Sequence, residues 1–202
     1  MVAGDSLASR WRALAAAGHT GDIDLARSAL DDPDPATREL ALGALDRLGE
    51  LGDDRLAAAL ADPEPSVRRR AVELAALRPG TDLLPSLADP DPTVVEVAAW
   101  ACGEHEDVPD ETLHRLIHLA TSADVALVRE ACVAALGAIG DERGLFAILA
   151  GCADSPAVRR RAVLALAPFE GDDVEEAIER ALTDRDWQVR QAAEDLRRAA
   201  AD

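Results

Sequence analysis

Tyrosine is absent from this chain, and aromatic residues of every kind make up only 2% of it. A β-sandwich packs on aromatic and β-branched side chains, so this scarcity, with alanine and leucine dominant, argues for close-packed helices. Cysteine is equally sparse. Cys102, Cys132 and Cys152 are odd in number, far apart and without a CxxC pair, which suggests neither a disulfide framework nor a zinc knuckle. They read as small buried apolar residues. Basic side chains are outnumbered 39 to 21, for a net charge of -18, so the averaged field repels phosphate backbones and anionic lipid. Neither a nucleic acid nor a membrane is the expected partner. No apolar run approaches the ~20 residues that span a bilayer. The N-terminal stretch is interrupted by Asp5, Arg10 and Arg12, unlike the apolar core of a secretory signal, so a cytoplasmic protein is expected. Against these absences stands a 49% apolar content over 202 residues, ample for a sizeable core.

The chain is built on an internal repeat. "DPDPATRELALGAL" from Asp32, "DPEPSVRRRAVELA" from Asp62 and "DPDPTVVEVAAWAC" from Asp89 align without gaps. "SPAVRRRAVLAL" from Ser155 and "DRDWQVRQAAEDL" from Asp184 follow the same pattern, with a degenerate copy, "ADVALVREACVAAL", from Ala123. The equivalent positions Arg38, Arg68, Val95, Arg129, Arg159 and Arg190 are, by subtraction, 30, 27, 34, 30 and 31 residues apart, the period of a two-helix unit. Asp34, Asp91, Ser155 and Asp186 are N-cap types for the second helix, B, and Pro35, Pro92 and Pro156 fit its first position. A shorter helix A is expected to open at Asp22, Asp53, Thr81 or Asp82, Asp110, Asp141 and Asp172. Gly21, Gly52, Gly80, Gly140 and Gly171 precede most of these and suit a left-handed turn.

On helix B an apolar stripe repeats: Thr37 or a valine, then Ala41, Ala71, Ala98, Cys132, Ala162 or Ala193 four residues on, then Ala44, Leu74, Ala101, Ala135, Ala165 or Leu196. Small residues at this spacing allow close helix approach. The expectation is about thirteen helices in one repeat domain over residues 1–202. It comprises a capping helix at about 5–17 and repeats at about 21–49, 52–78, 80–103, 109–139, 140–168 and 171–200. Trp11, with Leu7 and Leu14, reads as an end cap of the core, and Trp187 as half exposed.

These units resemble the HEAT-repeat superfamily, most closely the bacterial HEAT-like repeats first noticed in phycobilisome lyases, which read approximately L-x-D-x-[DPS]-x-V-R-x-x-A-x-x-A-L. The resemblance implies an all-α, right-handed α-α superhelix with about six helix pairs plus an N-terminal helix. It further implies a structural ladder of turn aspartates and helix-B arginines. Carried over by position, that ladder pairs Asp32 with Arg38, Asp62 with Arg68 and Asp184 with Arg190, with Arg129 and Arg159 as further ladder arginines. Asp89 faces Val95, so the third repeat breaks it.

The candidate partner-binding surface is the row one and five positions after each ladder arginine. It contains Arg69, Glu73, Glu96, Trp100, Glu130, Arg160 and Leu164, with Arg70 and Arg161 beside them. The doubled stretch "VRRRAV" is mostly repeat grammar, because successive helical residues point about 100° apart; only Arg69, Arg70, Arg160 and Arg161 are left to meet a partner. Trp100 stands in a slot that holds Gly, Glu, Ala, Leu or Asp elsewhere. It has two readings, an interface anchor or a lid over the gap at Val95. His114 and His118 lie one turn apart near Glu111 but lack the HExxH glutamate, and a solvated helix surface is the reading preferred to a metal site. No nucleophile and base arrive together, no phosphate loop is present, and no cofactor is called for. A non-enzymatic scaffold gripping a protein or peptide is therefore the expected function. The resemblance supplies the alternative of an enzyme or enzyme subunit, either a bilin-chromophore lyase or an alkylated-base DNA glycosylase. The interleaved Glu39, Glu73, Glu96, Glu130 and Asp195 oppose the glycosylase.

Overall fold

The structure, a computed structural model, describes residues 3–201, with side chains described over residues 7–199. It is all-α. Twelve α-helices occur among the described residues, and they cluster into two compact units, one up to Ala75 and one from Ala76 onward.

In the first unit α1 (Ala3–Thr20), α2 (Ile23–Ser28) and α3 (Pro35–Arg47) pack around Leu14, Ala29 and Ala41, while α4 (Asp53–Leu60) and α3 pack on α5 (Pro65–Ala75). The first B helix, α3, starts where the sequence marks it. Asp34 accepts the Thr37 backbone N–H at 2.9 Å and the Thr37 hydroxyl at 2.6 Å, with Pro35 next. Trp11 adds a contact beyond the expected packing, since its half-buried indole Nε1–H donates to Asp34 and Thr37 at 3.0 and 3.1 Å. The first helix is thereby fixed to the cap of the third.

In the second unit the B helices α6 (Pro92–Gly103), α8 (Ala126–Ile139), α10 (Pro156–Ala165) and α12 (Trp187–Ala201) stack in sequence. Helices α7 (Asp110–Ser122) and α9 (Leu145–Gly151) pack on α8, and α11 (Asp172–Leu182) packs on α12. The predicted stripe is the core: Thr37, Val67, Val94, Val128, Val158 and Val189 are buried. The following small positions, from Ala41 to Ala193, are buried too, and in the third row only Leu196 is half-buried.

Three expectations fail locally. No α-helix opens at Thr81 or Asp82; a single 3₁₀ turn, Ser86–Ala88, replaces it. Pro85 lacks an N–H and disfavours helical backbone at Leu84, so a helix cannot nucleate there, although Leu83 and Leu87 still fill the core. Gly52 and Gly80 are not left-handed; Gly49 takes that turn instead, at φ 71, together with Gly21, Gly140 and Gly171. Ser155 makes no capping hydrogen bond, and its hydroxyl is buried without a partner.

Candidate functional site: a cleft on the B-helix face

The ladder exists, but its rungs run forward between repeats rather than within one. Arg38 Nε and Nη2 donate to the two carboxylate oxygens of Asp62, at 2.8 and 2.7 Å. Its Nη1 reaches back to the main-chain carbonyl of Asp32 at 2.8 Å. The expected pairs Asp32–Arg38, Asp62–Arg68 and Asp184–Arg190 are thus corrected: each arginine meets its own turn through a backbone oxygen, with Arg68 and Arg190 doing the same at 2.8 and 2.7 Å. Arg129 forks Asp154 at 2.7 and 2.8 Å, and Arg159 forks Asp184 at 2.9 Å twice. Bidentate guanidinium–carboxylate pairing of this kind fixes distance and angle together. Asp32 is met by Arg10 of α1, a ladder member that the repeat alignment does not reach. The break at Val95 is also relocated. The aspartate it would serve lies in the next turn, where Ala123 stands six residues before Arg129 in the place of Asp32, Asp62 and Asp184, so both partners are replaced by apolar residues at once.

These forks hold carboxylates below their ordinary range. The Arg159 and Arg129 hydrogen bonds lower Asp184 and Asp154 despite partial burial; at Asp62 burial pulls upward, but Arg38 and a backbone N–H outweigh it. A carboxyl with a lower folded than unfolded pKa contributes stability above the unfolded value of ~4 and loses it as pH falls through the folded value. Melting temperature should therefore stay nearly level down to about pH 5 and fall steeply below about pH 4, with a shallower acid limb for Asp184→Asn; thermal melts across that range check it.

The candidate row divides between the two units. Arg70 is committed: it pairs with Glu73 at 2.8 Å, and its guanidinium covers the buried Gly43, so this part of the predicted exposed face is closed. Arg69 is exposed. In the second unit Glu96, Trp100, Glu130 and Arg161 come together around one cleft of about 410 Å³ between α6 and α8. Trp100 is 47% exposed, which rejects the reading of a buried lid. The cleft adds residues not singled out in sequence, Leu127 and Glu104 on its walls and Ala131 and Ala134 on its floor. Gly103 is there for space: a Cβ on it would lie 3.3 Å from the Cα of Ala135 and from the Cβ of Ala138. Leu164 is 41% exposed on α10, outside the cleft lining, and Arg160 lies beside it. Glu130 faces both Arg160 and Arg161 at 3.8 Å.

A family model for HEAT repeats matches residues 52–137 and 80–154, which together span half of the chain. The chain belongs to the HEAT-repeat family. No curated protein matches it. Among solved structures, the crystal structure of an engineered protein is 21% identical, with 91% of this chain and 81% of that one covered and a TM-score of 0.44.

The remaining reactive side chains of this HEAT array lie elsewhere. Burial pushes the Cys102 and Cys132 thiols up to about 12 and Cys152 up to about 11, so all three are protonated at neutral pH and poor nucleophiles. His114 and His118 are exposed, with His118 Nδ1 3.1 Å from the Ser122 hydroxyl. Among the described residues no three His, Cys, Asp or Glu side chains form a group able to hold a metal ion, and no helix is long and apolar enough to cross a membrane.

Proposed function

We propose that this HEAT-repeat protein is a non-enzymatic scaffold that holds a protein or peptide partner along the exposed face of α6, α8 and α10, in the cytoplasm. The observation that carries the reading is Trp100, a large apolar side chain left half in solvent beside a cleft floored by alanines. Exposed tryptophans of this kind dominate binding energies at protein interfaces, where an anchor fills a pocket and surrounding contacts exclude water. Helix packing does not require it, since other repeats hold residues as small as glycine at the same slot. The mixed charges around it set partner choice and approach rate more than affinity.

A chemical peculiarity makes the test clean. All 21 basic residues are arginine, so carbodiimide coupling of this chain's carboxylates captures lysines of a partner, its own amino terminus aside. Coupling in native extract followed by peptide mapping should place cross-links on Glu96, Glu104 or Glu130. Trp100→Ala should reduce capture at least about tenfold, as for loss of an interface anchor, whereas Trp187→Ala leaves it unchanged. Equal capture by Trp100→Ala sinks the reading.

A further inference from the structure

We infer that the α6–α8 cleft receives the cationic head of an arginine or lysine from an apolar, basic partner segment, and that the chain's own Arg161 holds that position until it is displaced. The inference rests on the scaffold reading above and names the chemistry of the partner at the same site.

Three observations point to a cation. Glu96 and Trp100 on α6 and Glu104 at its C-cap, still in helical conformation, stand four residues apart, so the indole is bracketed on one face by a carboxylate a turn before and a turn after it. Neither glutamate has an ion pair among the described residues. With Glu130 the lining holds three carboxylates against the single guanidinium of Arg161. A cation laid over the exposed Trp100 ring gains from the ring quadrupole and from both flanking charges, whereas an acidic segment meets three like charges. The alanine floor and Leu127 accept the aliphatic stem of the same side chain or its apolar neighbour.

The placeholder role follows from the geometry of Arg161. Its Nε lies 3.8 Å from Glu130, beyond hydrogen-bond reach, and that nitrogen is buried with no hydrogen-bond partner. Arg160 approaches the same oxygen at the same distance, so one carboxylate is shared by two guanidinium groups and satisfies neither. An incoming arginine or lysine that bonds Glu96, Glu104 or Glu130 directly replaces a poor contact with a good one. About half of the Arg161 side chain is already in solvent, so it leaves the cleft at little cost.

The probe is a capped amphipathic peptide of leucine and arginine, compared by fluorescence anisotropy with a glutamine twin and a glutamate twin of the same apolar face. The arginine peptide should bind at least about tenfold tighter than the glutamine twin, as expected for a cation–π contact reinforced by carboxylates, and the glutamate twin should not bind. Glu96→Gln with Glu104→Gln should remove that advantage. Arg161→Ala and the milder Arg161→Gln should tighten the arginine peptide several-fold. Weaker binding in both Arg161 variants would make Arg161 a partner contact and overturn the placeholder. If the glutamine twin binds as well and Trp100→Ala weakens both, the groove stands and cation recognition falls. If Trp100→Ala and the glutamate variants alter no peptide, both readings fall together.

Discussion

Asp184→Ala is expected to lower the unfolding free energy by about 3–5 kcal/mol, the usual consequence of leaving a buried charge without its counter-ion. Its partner Arg159 is the most enclosed ladder arginine, only 7% exposed, and the fork to Asp184 supplies two of its three hydrogen-bonding directions. Asp184 also accepts the Asp186 backbone N–H at 2.8 Å, which shapes the turn into α12. The contrast is Glu176→Ala: Glu176 and Arg180 pair at 2.8 Å while mostly in solvent, and its loss should cost no more than about 0.5 kcal/mol. Removing both ladder partners, Arg159→Met with Asp184→Ala, should recover most of the loss, because an apolar pair of fitting volume replaces a buried ion pair at little cost. The protein contains the natural form of that double variant in Val95 and Ala123. Denaturant unfolding of the wild type, Asp184→Ala, Arg159→Met and the double variant as a double-mutant cycle decides the matter; a cost of Asp184→Ala below about 1 kcal/mol would show that the rungs are solvated rather than structural.

Gly137→Val is the second large effect, with an expected loss of about 3 kcal/mol or more. A Cβ at position 137 would lie 2.6 Å from the Cβ of Ala165, 2.7 Å from its Cα and 2.9 Å from its carbonyl oxygen. Two of those atoms belong to the backbone of α10 and cannot swing aside, so the two helices must separate. Overpacking by one methyl costs ~1–3 kcal/mol, whereas replacing a helical glycine by alanine returns about 1 kcal/mol of propensity. Gly137→Ala should therefore destabilise by no more than about 2 kcal/mol, and valine, larger and β-branched, by more. Gly80→Ala, where a Cβ meets nothing within 4 Å, serves as the neutral control. Denaturation midpoints rank the three; equal values for Gly137→Val and Gly80→Ala would mean that α8 and α10 adjust without loss.

The core was readable in the sequence because it obeys one local rule, a helical stripe of small and β-branched residues repeated six times, and the caps Asp34 and Asp91 were readable for the same reason. Failures came where the determinant is not local. Asp154 was missed as the partner of Arg129 because its turn is one residue shorter: it precedes Arg159 by five positions, while Asp32, Asp62 and Asp184 precede their arginines by six. The direction of the rungs depends on which turn lies within reach of a guanidinium, and alignment of repeats cannot tell a neighbour behind from a neighbour ahead. Arg10 sits in a helix outside the repeat. Trp100 was visible as a departure from its slot in the other repeats, and Glu96 and Glu130 as members of the exposed row, but the cleft wall at Leu127 and Glu104 appears only when α6 and α8 are placed side by side. Pro85 stands where helix A of the third repeat would run, and the short interval of 27 residues between Arg68 and Val95 is the sign in the sequence that a helix is lost there.

The forward rungs give the chain a grammar of plug and socket. Each of the three ladder forks from Arg38, Arg129 and Arg159 joins a guanidinium to a carboxylate about two dozen residues further on, so the connection has a direction, as a monomer has in a head-to-tail polymer. Arg190 keeps the carbonyl half of this arrangement, and among the described residues no carboxylate forks it. A repeat unit spliced in after α12 would need only one aspartate at the head of its helix B to be received by Arg190, whereas the first carboxylate of the ladder, Asp32, is already met by Arg10. Modular extension of this protein is thus easier in one direction than in the other, and the rule for it is written in two residue types.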